Sequence, residues 1–393
     1  MRVLVLGGAG MMAAGTIRDL LSELSAGVEQ VIAADFPAAL ERLPEDPRLA
    51  KKPLDVNDQQ ALDALLADCD LCVNGVPTFA GHQMRLFKAC LAARRTYVDY
   101  GGMGVFTVQQ KAEHERFVEA GVTAVVGLGA DPGLSNVICR AVADRLDQID
   151  KINLYWTATS VGPECPVLVP PYTISTVLAE YANPSQQFFD GRLQEMPPRS
   201  GVETIDLPPP FGPTTFMFSQ HSEPLTVPFA KGIAEKGIRE FTWRLALPHR
   251  EHEAWVGLVK AGFGDFDTPV TVPGGTVRPL DVLQALINRN LAAHPDRPEG
   301  EAHELHFAIG HGKKNGHPTR VTVRVTGRPD PLYDGYVDAG TSMNMSIGVQ
   351  QILQRPLVPG VWAPEEYFEV EPYLEEVRRR RFQVEVETLV TEA

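Results

Sequence analysis

Residues 3–6 are Val-Leu-Val-Leu, an unbroken apolar run of strand length, and the positions that follow change period, with Ile17, Leu20, Leu21 and Leu24 on one helical face. Continuous apolar character fits a strand covered on both sides, whereas a period near 3.6 fits an amphipathic helix. The alternation continues through a second apolar run at 31–34. Helices are predicted near 58–67, 81–94 and 107–120, and strands at 70–76, 96–99 and 122–127. Strands alternating with helices predict an α/β fold, a doubly wound parallel sheet with helices on both faces. After the apolar run 122–128 comes Gly129-Ala130-Asp131-Pro132-Gly133-Leu134-Ser135-Asn136, a tight loop opening a helix to about residue 146, with Pro132 expected in its first turn.

Beyond residue 150 the texture changes. Short β-rich runs at 151–159, 214–219, 238–247, 252–262, 303–310 and 319–326 are separated by proline-rich loops at 163–171 and 207–213, with helices predicted at 173–182 and 279–293. This pattern predicts a mixed or antiparallel sheet. The segment 340–354 reads as helical, and 364–381 as one acidic-then-basic helix ending in Arg378, Arg379, Arg380 and Arg381. Basic residues in a last turn complement the helix dipole, so this run is read as a helix end rather than a nucleic-acid patch. A chain of 393 residues is long enough for two domains.

Between the first strand and the first helix stands Gly7-Gly8-Ala9-Gly10-Met11-Met12. Glycine at 7 and 10 permits a sharp turn, small Ala13 permits close helix packing, and the backbone N–H groups of Gly7, Gly10, Met11 and Met12 would face a pyrophosphate at the positive end of the helix. Asp35 closes the second strand 25 residues after Gly10, with no Arg or Lys until Arg42. A carboxylate there accepts ribose hydroxyls and repels an extra phosphate, which predicts NAD over NADP; the competing reading makes Asp35 a helix cap ahead of Pro37.

Composition narrows the partners. A net charge of −14 argues against nucleic acid and against an anionic membrane surface, and modestly favours a cationic substrate. No stretch reaches the roughly 18 uninterrupted apolar residues of a membrane helix, and the opening strand leaves no room for a signal peptide, so a cytoplasmic location is expected. Five cysteines, an odd number, fit reduced thiols. Cys69 and Cys72 form a C-x-x-C with no second pair nearby, so buried packing is expected and no metal is assigned.

Together these pieces resemble the saccharopine dehydrogenase family, most closely its lysine 6-dehydrogenase branch. The likeness is carried by the strand and glycine turn with Arg18-Asp19-Leu20, by Asp35, Leu71-Cys72-Val73-Asn74 and Tyr97-Val98-Asp99-Tyr100-Gly101-Gly102. It continues through Gly129-Ala130-Asp131-Pro132-Gly133 with Asn136, Thr242-Trp243-Arg244, and Gly360-Val361-Trp362-Ala363-Pro364-Glu365. The resemblance implies an NAD(P)-dependent enzyme acting on a C–N bond of an amino acid or amine, either oxidising an amine to an imine or reducing an imine in a condensation of the saccharopine or carboxynorspermidine type. It also implies a homodimer, a Rossmann domain over 1–132 completed by 335–393, and an inserted substrate and dimerisation domain over 133–334. The chain departs from the lysine enzymes at Ser219-Gln220-His221-Ser222-Glu223-Pro224 and over 161–171.

Hydride transfer belongs in the crevice beyond the carboxyl ends of the strands, where Asn74, Pro77, Gly101, Gly102 and Gly129 are expected to border the cofactor. An amine must be neutral when hydride leaves, so the site needs a proton acceptor. By position Asp99 and Tyr100 at a strand end and Asp131 in the loop before Pro132 are the proton-acceptor candidates, with His82 and, in the departing segment, His221 as further catalytic candidates; the competing reading makes Asp131 a helix cap. Arg244 is the candidate grip for a substrate carboxylate, against an ion pair with Glu240 or Glu251. Asp131 and Tyr172 are expected to contact substrate. Extended short-chain dehydrogenases share the glycine turn but need a Tyr-x-x-x-Lys pair, which none of the nine tyrosines supplies. A non-catalytic NAD-binding regulator is the alternative from another class; it predicts no buried polar pocket facing the nicotinamide.

Overall fold

The computed structural model describes residues 1–101, 103–265, 268–336 and 338–391. Its strands in chain order begin with β1 (Arg2–Leu6), β2 (Gln30–Asp35), β3 (Leu49–Pro53), β4 (Leu71–Asn74), β5 (Thr96–Asp99) and β6 (Thr123–Val125). Next come β7 (Gln148–Val161), β8 (Ser185–Phe189), β9 (Arg192–Met196), β10 (Glu203–Leu207), β11 (Gly212–Phe218) and β12 (Glu240–Ala246). The last are β13 (Val270–Val272), β14 (Gly275–Val277), β15 (Glu301–Lys314), β16 (His317–Gly327), β17 (Gly360–Trp362) and β18 (Gln383–Val390).

Among the described residues, seven strands form a parallel sheet in the order β17-β6-β5-β4-β1-β2-β3. Val3 to Leu6 are wholly buried in its centre, as a parallel strand covered on both faces requires. The strand order reverses at β1, so the crevice beyond β1 and β4 is the switch point where such sheets bind ligands. A second, nine-stranded sheet is mixed: β12 runs parallel to β7, while β15, β16 and β18 continue it antiparallel.

The buried helix Leu134–Asp144 packs on β15, β16 and β7 and so ties the second sheet to the loop after β6. The approach is tight, since a Cβ on Gly310 would stand 2.2 Å from Val142 Cγ1. The chain then returns. Helix Ala339–Leu353 lies along helix Met11–Leu20 at a contact where a Cβ on Gly15 would meet Ser342 Oγ at 2.3 Å. Ser342 Oγ donates to the Met12 carbonyl at 2.9 Å, and Thr16 Oγ1 donates to the Ser342 carbonyl at 3.0 Å.

Several expectations are corrected. The 252–262 segment is not a strand but part of helix His249–Lys260, because its short apolar run buries Trp255 alone and a polar run from His249 forms the first turn. The single helix expected at 107–120 divides into Val105–Lys111 and His114–Ala120, and that at 364–381 into Pro364–Tyr367 and Val370–Arg379. Pro132 lies outside its helix, which starts at Leu134 behind Gly133. β17 joins the first sheet from the chain's last segment, whereas β18 crosses back to pair with β16.

The arginine run is more than a helix end. Arg380 is fully buried, donating Nε to Asp19 Oδ2 at 2.9 Å, Nη2 to Asp19 Oδ1 at 2.7 Å and Nη1 to Glu376 Oε2 at 2.8 Å, which pins the last helix to the first. A second polar knot lies at the start of helix Leu134–Asp144. Asn136 Nδ2 donates to Glu365 Oε2 at 2.8 Å, while Glu365 Oε1 has no partner among the described residues. Burial, then the neighbouring Glu366 charge, pushes the Glu365 carboxyl up to about 7.

Arg380→Met strands the Asp19 carboxylate in the interior and is expected to lower unfolding free energy by about 3–5 kcal/mol, measured as the shift in denaturant midpoint at constant slope. The raised Glu365 value means that ionisation costs the native state nothing below the ordinary carboxyl range and its full amount above pH 7. Glu365→Gln should therefore gain stability relative to the parent as pH rises from 4.5 to 8, by on the order of 1–3 kcal/mol, read from melts at the two pH values.

Candidate functional site

The glycine turn has the geometry of a phosphate cradle. Gly7 holds φ +65°, and a Cβ there would stand 2.8 Å from the Gly75 carbonyl oxygen. Gly10 is the N-cap of helix Met11–Leu20, which has neither a side-chain cap nor an acidic residue in its first turn, and Met11 is exposed beside it. That leaves the first-turn N–H groups of Met11 and Met12 for an outside acceptor. Asp35 sits at the carboxyl end of β2, where its Oδ2 accepts from Ala9 N at 3.0 Å and its Oδ1 from Phe36 N at 2.7 Å. The carboxylate is thereby anchored to the turn. These residues fit a dinucleotide: the turn would hold the pyrophosphate and Asp35 the adenosine ribose.

Further along the crevice, Thr78 Oγ1 donates to the Gly101 carbonyl at 3.0 Å just after Pro77. Tyr100 and Thr16 share a hydrogen bond of 2.6 Å between their hydroxyls. A Cβ on Gly75 or Gly129 would lie 3.6 or 3.7 Å from the Tyr100 ring, so Tyr100, Gly101 and Gly129 do converge here. Burial raises the Tyr100 phenol well above its ordinary value, which keeps it neutral. His82 is half-buried at the start of helix Gln83–Ala92. Gly102 lies outside the described residues.

Two strand-end candidates are turned inward. Asp99 accepts from Gln83 Nε2, Gln110 Nε2, Tyr97 Oη, Gly101 N and Gly127 N at 2.7, 2.7, 2.8, 3.0 and 2.9 Å. With five donors and almost no exposure it organises the loops beneath the crevice, and its expected role as a proton acceptor there is corrected accordingly. Asn74 belongs to the same interior network through Tyr97 and Gln83. Arg244 is corrected by register. It aligns with Tyr155 and Phe307, on the opposite face from Trp156 and His306. There its Nε donates to the Gly201 carbonyl at 3.1 Å, it pairs with Glu203, and its guanidinium lies 4.5 Å from the Phe218 ring centre.

Opposite the crevice the structure assembles a cluster of acids. His306, wholly buried on β15, has Nδ1 2.7 Å from Asp131 Oδ2 and Nε2 3.2 Å from Glu304 Oε2. His221 stacks flat on Trp243 and contacts Glu223, which also accepts from Ser135 Oγ at 2.7 Å. Tyr172 donates to buried Glu180. Asp338 caps helix Ala339–Leu353 through Thr341 N at 2.8 Å. Burial pushes the Glu180 carboxyl up to about 7; burial and then the Glu304 charge push Asp338 up to about 6. For His306, burial works against the charged form, yet Asp131 and Glu304 together carry the imidazole up to about 10. Five carboxyl groups thus face two imidazoles across the junction of the sheets.

Tyr172, Glu304 and Asp338 also line a cavity of about 860 Å³, together with Trp156, Arg328 and Tyr336. His306, Glu304, Glu180, Glu223 and Asp338 were absent from the sequence-based candidates. Glu304 and His306 sit two apart on a strand whose other face carries Leu305 and Phe307, a pattern that reads equally well as an ordinary solvent-facing edge.

The saccharopine dehydrogenase NADP binding domain matches residues 3–125, and the saccharopine dehydrogenase C-terminal domain matches residues 129–382. Carboxynorspermidine synthase of Vibrio alginolyticus is 25% identical over 264 residues, and that of Vibrio cholerae 23% identical over 267. Each match takes in 61% of this chain and 59% of the relative, so the chain spans about three-fifths of the length of these proteins. Apo saccharopine dehydrogenase (L-Glu forming) of Saccharomyces cerevisiae shares the fold, with a TM-score of 0.73 at 16% identity over 99% of both chains. By both of its domains, the chain belongs to the saccharopine dehydrogenase family.

Proposed function

We propose that the protein is an NAD(P)-dependent oxidoreductase that makes or breaks a C–N bond in a substrate carrying an ammonium group. The observation that carries this reading is the excess of carboxyl groups, buried or partly buried, over imidazoles where the loop after β6 leads away from the dinucleotide crevice. A cation entering there exchanges its hydration for fixed negative charge, whereas an anionic 2-hydroxy acid would be repelled. A bound nicotinamide supplies or accepts the hydride. The chain's own part is to hold the amine, keep water away and exchange the proton that amine–imine interconversion requires.

The reducing direction, condensing an amine with a carbonyl compound through an imine, is favoured by the likeness to carboxynorspermidine synthases and by a cavity large enough for two joined substrates. The oxidising direction, removing an amino group as in lysine 6-dehydrogenases, uses the same groups in reverse. Turnover is expected with short diamines plus an aldehyde and reduced nucleotide, or with lysine or diamines and oxidised nucleotide, followed by nicotinamide absorbance. Turnover of 2-hydroxy acids with none of any amine would overturn the reading.

For the nucleotide, we infer a preference for NAD over NADP from the Asp35 carboxylate held at the ribose end of the crevice. The wild type should bind NADH at least about tenfold more tightly than NADPH, and Asp35→Ser should lose most of that ratio. Calorimetric titration with each nucleotide decides it; tighter binding of NADPH by the wild type would refute the preference.

A further inference from the structure

Asp131, His306 and Glu304 form a line that the proposed activity does not by itself explain. Asp131 stands on the loop after β6, a loop that meets the crevice at two points: Pro132 would strike Cβ atoms on Gly101 and Gly127 at 2.7 and 2.9 Å, and Gly129 lies beside Tyr100. Its side chain is only 10% exposed. Oδ2 stands 2.7 Å from His306 Nδ1 in a charge contact outside hydrogen-bond alignment, and both Oδ1 and His306 Nδ1 are buried with no hydrogen-bond partner among the described residues. An unpaired carboxylate oxygen in such a place is costly unless something else completes it.

His306 is itself sealed between Asp131 and Glu304, with the Trp156 ring 6.4 Å away. Room for Glu304 is carved out of the backbone: a Cβ on Gly340 would meet its Oε1 at 2.8 Å, and one on Gly327 its Cγ at 2.7 Å. Gly340 belongs to the first turn of helix Ala339–Leu353, whose positive end also favours a carboxylate there. Glu304 thus spans from the buried imidazole to the wall of the cavity.

Resting on the proposed C–N chemistry, we propose that Asp131 is the group that takes the proton from the substrate ammonium through Oδ1, and that His306, held by Glu304, is the positioning residue that aims Asp131 and neutralises its second oxygen. Only a proton moves in this step. The N–H bond of the ammonium breaks, an O–H bond forms on Asp131, and the products are a neutral amine and a neutral carboxyl group; in the reducing direction the proton returns to nitrogen. The His306 ring lies 2.7 Å from Oδ2, so its positive charge faces the oxygen that does not take the proton. The other titratable groups that act on this line are Asp338 at the helix start, Glu180, His221 and Cys139, and the raised His306 value of about 10 results from Asp131 and Glu304 outweighing burial.

Two measurements test it. With ¹⁵N-labelled histidine, the resonances assigned to His306 by their loss in His306→Gln should remain those of a doubly protonated ring through pH 8 in the wild type, and titrate at least about one unit lower in Glu304→Gln. In the amine assay, His306→Gln should lower kcat about 100-fold and move the rising limb of kcat/KM to higher pH, while NADH affinity by calorimetry and the KM for nucleotide stay unchanged. A carboxylate deprived of its neighbouring cation in a dry site holds its proton longer, which sets the direction of that move. A ring that loses its proton below pH 7 in the wild type, or a His306→Gln enzyme with the parental pH profile, overturns the inference. A wild type inactive toward every amine, yet with a charged His306, would instead count against the C–N reading alone.

Discussion

Five carboxyl groups gathered around two imidazoles at a largely buried junction are the electrostatic constraint to which the rest of the molecule answers. Like charges at close range in a low dielectric cannot all persist, so some protons stay bound and some charges find cations. Burial raises the Glu180 and Asp338 carboxyls, while Asp131 and Glu304 stand on either side of the His306 ring. On the proposed reading a substrate ammonium enters here and gives its proton to Asp131.

Such a site has to be imposed by packing, because nothing in the cluster favours its own assembly. Helix Leu134–Asp144 supplies the force: its apolar side is buried against the second sheet while its first residues, Ser135 and Asn136, reach Glu223 and Glu365. The return of the chain closes the structure from the other side. Helix Ala339–Leu353 lies on the first helix at the Gly15–Ser342 contact and brings Asp338 and the space for Glu304 with it. The Arg380–Asp19 pair then ties the last helix to the first.

Much of the architecture was legible because local periodicity is a direct consequence of burial. The periodicity predicts five of the seven parallel strands, β1, β2, β4, β5 and β6, and places the glycine turn and Asp35; β7, β12, β15 and β16 lie within a few residues of the predicted runs, while β3 and β17 carry too short an apolar run to stand out. The β8–β9 hairpin went unread although Asp190 and Gly191, both at positive φ, are a strong two-residue turn signal. The apolar run at 252–262 predicts a strand where the chain forms helix His249–Lys260, because so short a run carries no period of its own.

Residue order by itself therefore determined the nucleotide-binding half: its strand–turn–helix opening, its acidic strand end and the α/β class, all written in contacts between near neighbours. Only the tertiary structure decided which polar side chains share the substrate space. Asp99 was a plausible base until five donors closed around it, and Arg244 a plausible grip until strand register turned it to the far face. Conversely, His306 looked ordinary until Asp131, from a distant segment of the chain, was brought against it. A side chain's chemistry depends on the charges and solvent around it, and those are set by segments far apart in the chain.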